Sequence, residues 1–334
     1  MIRRLAAVVL ILLVGVSALD ARPKKKKRKN QPPPPSRCDA VRLDGDRLFV
    51  GSTGGLVWHD VSDPYSATTI DNFFLRNAVW DMAVRDRYAM IAVGTHGVYS
   101  IDFEHEDGMQ VIYRHEVPGK ARQLEWVGDA LFVAAGRHGV EVISTRYADR
   151  LQRIAHLAAR DRVRAIAIVD QRLFVVDSGS GLSIYDISRP SSPRLLTDRR
   201  LEATVWDVVV DGDLIYLAAD DDGILAFRLD AKTLTPLPTI PTTIRAYRID
   251  VGSGALVVTD GRSSMEVLDG IPDAPRSRGV TVVHRSATTT DIAVDHDLVV
   301  IAGGTQCFTL FGIGDPEETE RYSGQRRKMT VEFP

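Results

Sequence analysis

The 334-residue sequence predicts an all-β fold, a seven-bladed β-propeller of four-stranded antiparallel blades. Three observations predict it: a unit that recurs every 42 residues, Asp-Gly turns inside the units, and strands apolar at consecutive positions. Each unit is an apolar run, a Gly-rich turn and a second apolar run, as in "RLFVGSTGGLVWHD" (47–60), "ALFVAAGRHGVEVIS" (130–144) and "LIYLAADDDGILAFRLD" (214–230). The second run begins at Leu56, Val98, Val140, Leu182, Ile224, Met265 and Phe308. Four of those spacings are 42, and the remaining 41 and 43 compensate. A period of this size marks arrays in which each unit must bury its flanks against its neighbours.

A shorter strand precedes each unit, for example "WDMAV", "QLEWV" and "TDIAV". Its turn into the unit reads Asp-Gly-Asp at 44–46 and at 211–213. Asp-Gly between apolar runs signals a hairpin, because glycine accepts the positive φ that such a turn requires. Gly252-Ser253-Gly254 aligns with the Asp-Gly-Asp turn of blade 5, so it reads as a hairpin and not as a nucleotide loop. A weaker fourth strand follows each unit, such as "VIYRHEV" (111–117) and "TVVHR" (281–285). Four antiparallel strands per 42 residues fit a propeller blade. Runs such as "LFVAA" and "LIYLAA" imply sheets covered on both faces, as in a ring where every blade lies between two others. The strand order places the start of each first strand and the turn between second and third strands on one face, the mouth. The Asp-Gly-Asp turns fall on the opposite face.

The two cysteines sit at the ends of this array. Cys38 starts the first strand of blade 1, and Cys307 lies in the turn between second and third strands of blade 7. Ring closure makes these blades neighbours with both cysteines on the mouth face, so a disulfide is expected to staple the first blade to the last.

The chain opens with "MIRRLAAVVLILLVGVSALDA": two arginines, an apolar run and then small residues. That order predicts a secretory signal peptide over 1–21. The apolar run is shorter than the ~20 residues of a membrane-spanning helix. A basic and proline-rich linker over 22–36, "RPKKKKRKNQPPPPS", precedes the propeller over 37–334. Its basic run resembles a nuclear import tag. A preceding signal peptide instead sends the chain to the periplasm, the cell surface or the medium, where the basic residues 22–29 can touch an anionic membrane surface. Positive charge after an apolar segment favours cytoplasmic retention if the segment is not cleaved, so cleavage matters to this reading. Residues 36–334 carry 33 basic and 43 acidic side chains, a formal charge of −10. A body this acidic repels phosphate backbones and excludes nucleic acid as its partner.

The stretches "LSIYDIS" (182–188) and "GLVWHDVS" (55–62), with Pro-containing turns after them, resemble the LVIVD-repeat β-propellers; "VLDGIP" and "FGIGDP" match in part. Blades 2, 3 and 5 keep the strand and lose the Pro turn. The resemblance implies an exported or cell-surface scaffold with no common catalytic activity. Gly-His and Trp-Asp pairs, which WD40 repeats share, are not maintained.

No Gly-x-Ser-x-Gly, His-Glu-x-x-His or phosphate-loop pattern is present, and no cysteine and histidine group has zinc spacing. The mouth is therefore the candidate site. Its aligned positions are Asp39, Asp81, Gln123, Ala165, Asp207, Arg248 and Asp291, preceded by Cys38, Trp80, Arg122, Arg164, Trp206, Tyr247 and Thr290. The adjoining turns add His96, His138 and Asp220-Asp221-Asp222. Trp, Tyr and Arg are the usual anchors of binding surfaces. The recurring aspartates also fit a plainer role, capping backbone amides of neighbouring blades, and the histidines fit that of polar turn residues. The expectation is a monomeric, non-enzymatic scaffold that binds a protein, cationic or carbohydrate-like envelope ligand. The competing expectation is a metal-dependent hydrolase or lyase using the Asp-rich mouth. No cofactor is expected; Asp220–Asp222 would suit calcium if any cation binds.

Overall fold

The structure, a computed structural model, describes residues 37–313 apart from 64–66, 179–180, 284–287, 297 and 304–306. The chain forms seven antiparallel sheets, each in simple meander order. The blades span 38–74, 81–115, 123–157, 163–199, 207–236, 248–282 and 289–312. Six have four strands and the seventh has three among the described residues. The tail "KMTVEFP", a candidate closing strand, lies outside the described residues, as do the signal segment and the basic linker. No helix among the described residues is long and apolar enough to cross a membrane.

Each first strand packs against the first strand of the next blade, and that of blade 7 (Thr289–Asp295) packs against that of blade 1 (Cys38–Asp44). The ring is closed. Its hydrophobic core is divided into seven clusters, one between each pair of neighbouring blades. Central strands such as Ala130–Ala134 are buried at every position, which explains the loss of alternation in the sequence. Outer strands such as Arg194–Arg199 are largely exposed and correspondingly polar.

The turn before the third strand depends on glycine. Gly97 and Gly139 have φ of 80° and 106°, a region that glycine enters without penalty. A Cβ at either position would strike a carbonyl oxygen of the fourth strand, His115 O or Leu157 O. Hairpins between first and second strands use the expected residues, with Gly45 and Gly212 at φ of 57° and 59°. Gly252 pairs with Ala255 across one such hairpin.

Blade 1 departs from the sequence alignment by one residue. A bulge between Cys38 and Ala40 shifts the register, so Ala40 stands where Asp81 stands in blade 2, and Asp39 is the extra residue. Equivalent bulges occur at Arg164 in blade 4 and at Thr290 in blade 7. A bulge re-aims its side chain and ends regular pairing. The seam between blades 7 and 1 carries the Cys38–Cys307 disulfide, with Cα atoms 4.9 Å apart.

Candidate functional site

The aspartates at the starts of the first strands reach across the seams. Asp81 accepts Leu124 N–H of blade 3 at 2.7 Å, and Asp207 accepts Ile249 N–H of blade 6 at 3.3 Å. Asp291 closes the circle by accepting Val41 N–H at 3.0 Å. Gln123 plays the same part toward Ile166 N–H of blade 4 at 2.8 Å. The second oxygen of Asp81 accepts Met82 N–H at 2.7 Å, and that of Asp207 accepts Val208 N–H at 3.0 Å. These carboxylates hold one blade's entering strand to the next. Asp39 stands outside this ring because of the bulge and pairs with Arg37 at 2.5 Å.

One step down the channel lies a second charged row. A residue two positions along a strand returns to the same side, which places Arg42, Glu125 and Asp250 beneath the first row. Asp250 accepts Val294 N–H of blade 7 at 2.7 Å and Val251 N–H at 2.8 Å. Arg42 donates to Met82 O of blade 2 at 3.2 Å. Five acidic groups, Asp81, Glu125, Asp207, Asp250 and Asp291, thus share the channel with two cations, Arg42 and Arg248. Loss of water around them disfavours the charged form. Burial pushes Asp250 up to about 7 and Glu125 up to about 6. Burial, then repulsion from Asp291, raises Asp81; burial also raises Asp291 and Asp207 against the pull of Arg248. Burial alone would lower both arginines, yet the surrounding carboxylates outweigh it and raise them.

Above the channel, the residues just before the ring form a belt of arginine and aromatic pairs. Arg122 lies 5.1 Å from the Trp80 ring across the seam of blades 2 and 3. Arg164, re-aimed by its bulge, lies 4.1 Å from Trp206 across the seam of blades 4 and 5. Trp206 and Tyr247 meet at 5.1 Å across the next seam, and Arg248 lies 5.8 Å from Tyr247. Trp80 is one of the exposed large apolar side chains, at 37%. A guanidinium over a ring face is worth roughly 0.5–1 kcal/mol when exposed and more when desolvated. The belt is both a mutual brace and a surface of anchor residues.

The turns contribute unequally. His96 is exposed in blade 2. His138, in the short 3-10 turn of blade 3 (Gly136–His138), is half-buried and stacks on His156 with centroids 4.2 Å apart. Asp220 is taken up by Arg245, which binds it through two nitrogens, and by Trp206 Nε1 at 3.3 Å. It is therefore less suited to calcium than its acidic run implies. The sequence alignment missed Arg42, Glu125 and Asp250 because it followed one position per blade; the period of two along the first strand was the signal that finds them. It also missed Glu141, an i,i+3 neighbour of His138, and His156, which the pairing of third and fourth strands brings opposite Glu141.

No curated protein matches this sequence. The LVIVD repeat profile matches residues 162–198, the span of blade 4. Three solved structures are similar at low identity. The Myceliophteria thermophila Cps50 (Swd1) β-propeller domain superposes with a TM-score of 0.67 at 12% identity, covering 84% of this chain and 97% of that one. BamB from Moraxella catarrhalis gives 0.59 at 10% identity, covering 82% and 83%. The computationally designed Ika8 protein gives 0.58 at 14% identity, covering 83% and 96%. At such identities the likeness speaks for the fold alone. The repeat match in blade 4, set within a closed ring of seven blades, fits the resemblance to the LVIVD-repeat β-propellers.

Proposed function

We propose that the protein is an exported, non-enzymatic scaffold that binds a protein of the cell envelope across its mouth face. The observation that carries this reading is the belt of Trp80, Arg122, Arg164, Trp206, Tyr247 and Arg248 around the channel. Large, pre-positioned Arg and aromatic side chains lose little freedom on contact, and they dominate binding energy at protein interfaces. Braced in pairs across three seams, they offer a partner a surface already ordered. The acidic channel below adds a field that favours a cationic group at the centre of the contact. The Cys38–Cys307 disulfide supports export, since such bonds persist in oxidising compartments. The hydrolase reading loses ground because the oxygens of Asp81, Asp207 and Asp250 already accept backbone N–H groups.

A photo-crosslinking residue placed at Trp80 or Trp206 tests the binding face, with Asp213 on the opposite face as control. Envelope-protein adducts from the mouth positions alone support the reading, whereas equal labelling from Asp213 or none at all removes it. Export is tested by fractionating cells that make the full chain and sequencing the mature N-terminus. Cleavage near Ala21 with the protein outside the cytoplasm is the expected result; an intact N-terminus on cytoplasmic protein overturns it.

A further inference from the structure

Blade 3 carries a group of side chains that neither the ring nor the belt uses. Glu141, on the third strand (Val140–Ser144), is a carboxylate only 1% exposed. It faces His138 from the preceding turn and His156 from the fourth strand (Gln152–Leu157), its direct partner in register. One nitrogen of each histidine and one oxygen of Glu141 all lie within 4.8 Å of one another. We propose that His138, Glu141 and His156 form a binding site for a zinc-class divalent transition metal on the mouth side of blade 3.

The hydrogen bonds around the group are those that a metal site requires. His156 Nε2 lies 2.7 Å from His138 O. A carbonyl oxygen can only accept, so Nε2 donates to it and Nδ1 is the nitrogen left for a metal. Metal-binding histidines are oriented in this way, with the far nitrogen donating to a carbonyl or carboxylate. Glu141 is held in the same manner: Arg153 Nε fixes Oε1 at 3.1 Å, which leaves Oε2 toward His138. Oε2 now accepts from His138 Nε2 at 3.0 Å. A cation inserted there replaces that hydrogen bond, and His138 carries its proton on Nδ1 instead. Closing atoms that are up to 4.8 Å apart onto one ion takes a modest inward movement, mainly of the half-buried His138.

The donors choose the metal. Two imidazole nitrogens and one carboxylate oxygen suit zinc, which binds four ligands tetrahedrally. Calcium and magnesium prefer all-oxygen shells, and copper(I) prefers sulfur. Three protein ligands leave the fourth position open. His138 is 24% exposed, so that position is reachable from the mouth. A histidine or carboxylate from a docked partner fits such a vacancy, though the site stands whether or not the mouth binds a protein.

The full chain titrated with Co²⁺ reports directly, because tetrahedral cobalt gives intense visible bands. The expected result is saturable bands, displaced by Zn²⁺ and unaffected by Ca²⁺ or Mg²⁺, together with a rise of several degrees in Tm under excess Zn²⁺. His138→Ala and His156→Ala should each lose the bands, with affinity at least about 100-fold weaker. Long-range ¹⁵N–¹H spectra of the unaltered protein give a readout that needs no variant: Zn²⁺ should shift His156 Nδ1 and His138 Nε2. No bands and no thermal shift overturn the proposal. Metal binding that leaves these two imidazoles unshifted, or that persists in both variants, places the metal elsewhere and overturns it too.

Discussion

At the seam between blades 4 and 5, Ala165 stands where blades 2, 5 and 7 carry an aspartate, and its side chain is too short to reach across. Apolar packing of Phe174, Val176, Val208 and Leu217, with Arg164 laid over Trp206, holds the two sheets together. At the seam between blades 7 and 1 the same neighbour contact is fastened three further ways. Asp291 accepts Val41 N–H, Thr290 Oγ1 donates to Cys38 O at 2.8 Å, and Cys38 is bonded to Cys307. The difference follows from chain connectivity. Blades 4 and 5 are joined by a short loop, so their encounter is nearly intramolecular from the outset. Blades 7 and 1 are joined only through the whole ring, and bringing them together costs the loop-closure entropy of a long chain. Among the described residues no strand is exchanged across that seam, so side chains supply the clasp.

Removing the covalent part of the clasp is the strongest way to break this comparison. The pair Cys38→Ala and Cys307→Ala should destabilise the protein by up to about 5 kcal/mol, the chain-entropy value for a very long loop. Urea unfolding with and without reductant measures it. A loss below about 1 kcal/mol would show that seven apolar seams close the ring unaided.

Next in size are the aspartate clamps. Asp81→Ala and Asp291→Ala each leave buried amides unpaired and should each cost about 1–3 kcal/mol. Combined with the cysteine replacement, Asp291→Ala should be non-additive while Asp81→Ala is additive, because only Asp291 shares the closing seam. A double-mutant cycle by chemical denaturation distinguishes the two.

The channel gives a pH test. Its carboxylates bind protons more tightly folded than unfolded, so their contribution is present at acid pH and is lost as pH rises from about 4 through about 7. His59, buried in the closing-seam blade, works in the opposite sense: burial lowers it to about 4, and its contribution is lost as pH falls below its unfolded value of ~6.5. The carboxylates outnumber it, so Tm should fall by several degrees between pH 5 and pH 8. Arg42→Gln should steepen that fall by removing a cation from beside Asp81, Glu125, Asp250 and Asp291. Calorimetry across that range checks both statements. The smallest effect belongs to the belt: Arg164→Gln should cost about 1 kcal/mol at the seam of blades 4 and 5 and leave the closing seam untouched.

The blade number, strand order and disulfide were all legible because each rests on a regularity that one dimension preserves. Gly97 and Gly139 recur where the turn needs positive φ, and Leu56 through Phe308 keep step because every blade must present the same flank. Asp39 was misplaced for the converse reason: a bulge inserts one residue without any compositional mark, and only the pairing with Ser52 and Gly51 locates it. The role of Asp81, Asp207 and Asp291 was half legible. Their recurrence was visible, but whether each carboxylate turned toward a ligand or toward a neighbour's amide depends on where the next blade's strand begins.

By itself the sequence determined a ring of seven sheets, its two faces and its point of closure, since period, turn chemistry and cysteine position are local or additive along the chain. Only the tertiary structure decided which charges meet in the channel, that Arg164 lies on Trp206, and that Glu141 is enclosed by His138 and His156. Those contacts depend on distances between side chains far apart in sequence or on facing strands, and a shift of one residue in register is enough to make or abolish them.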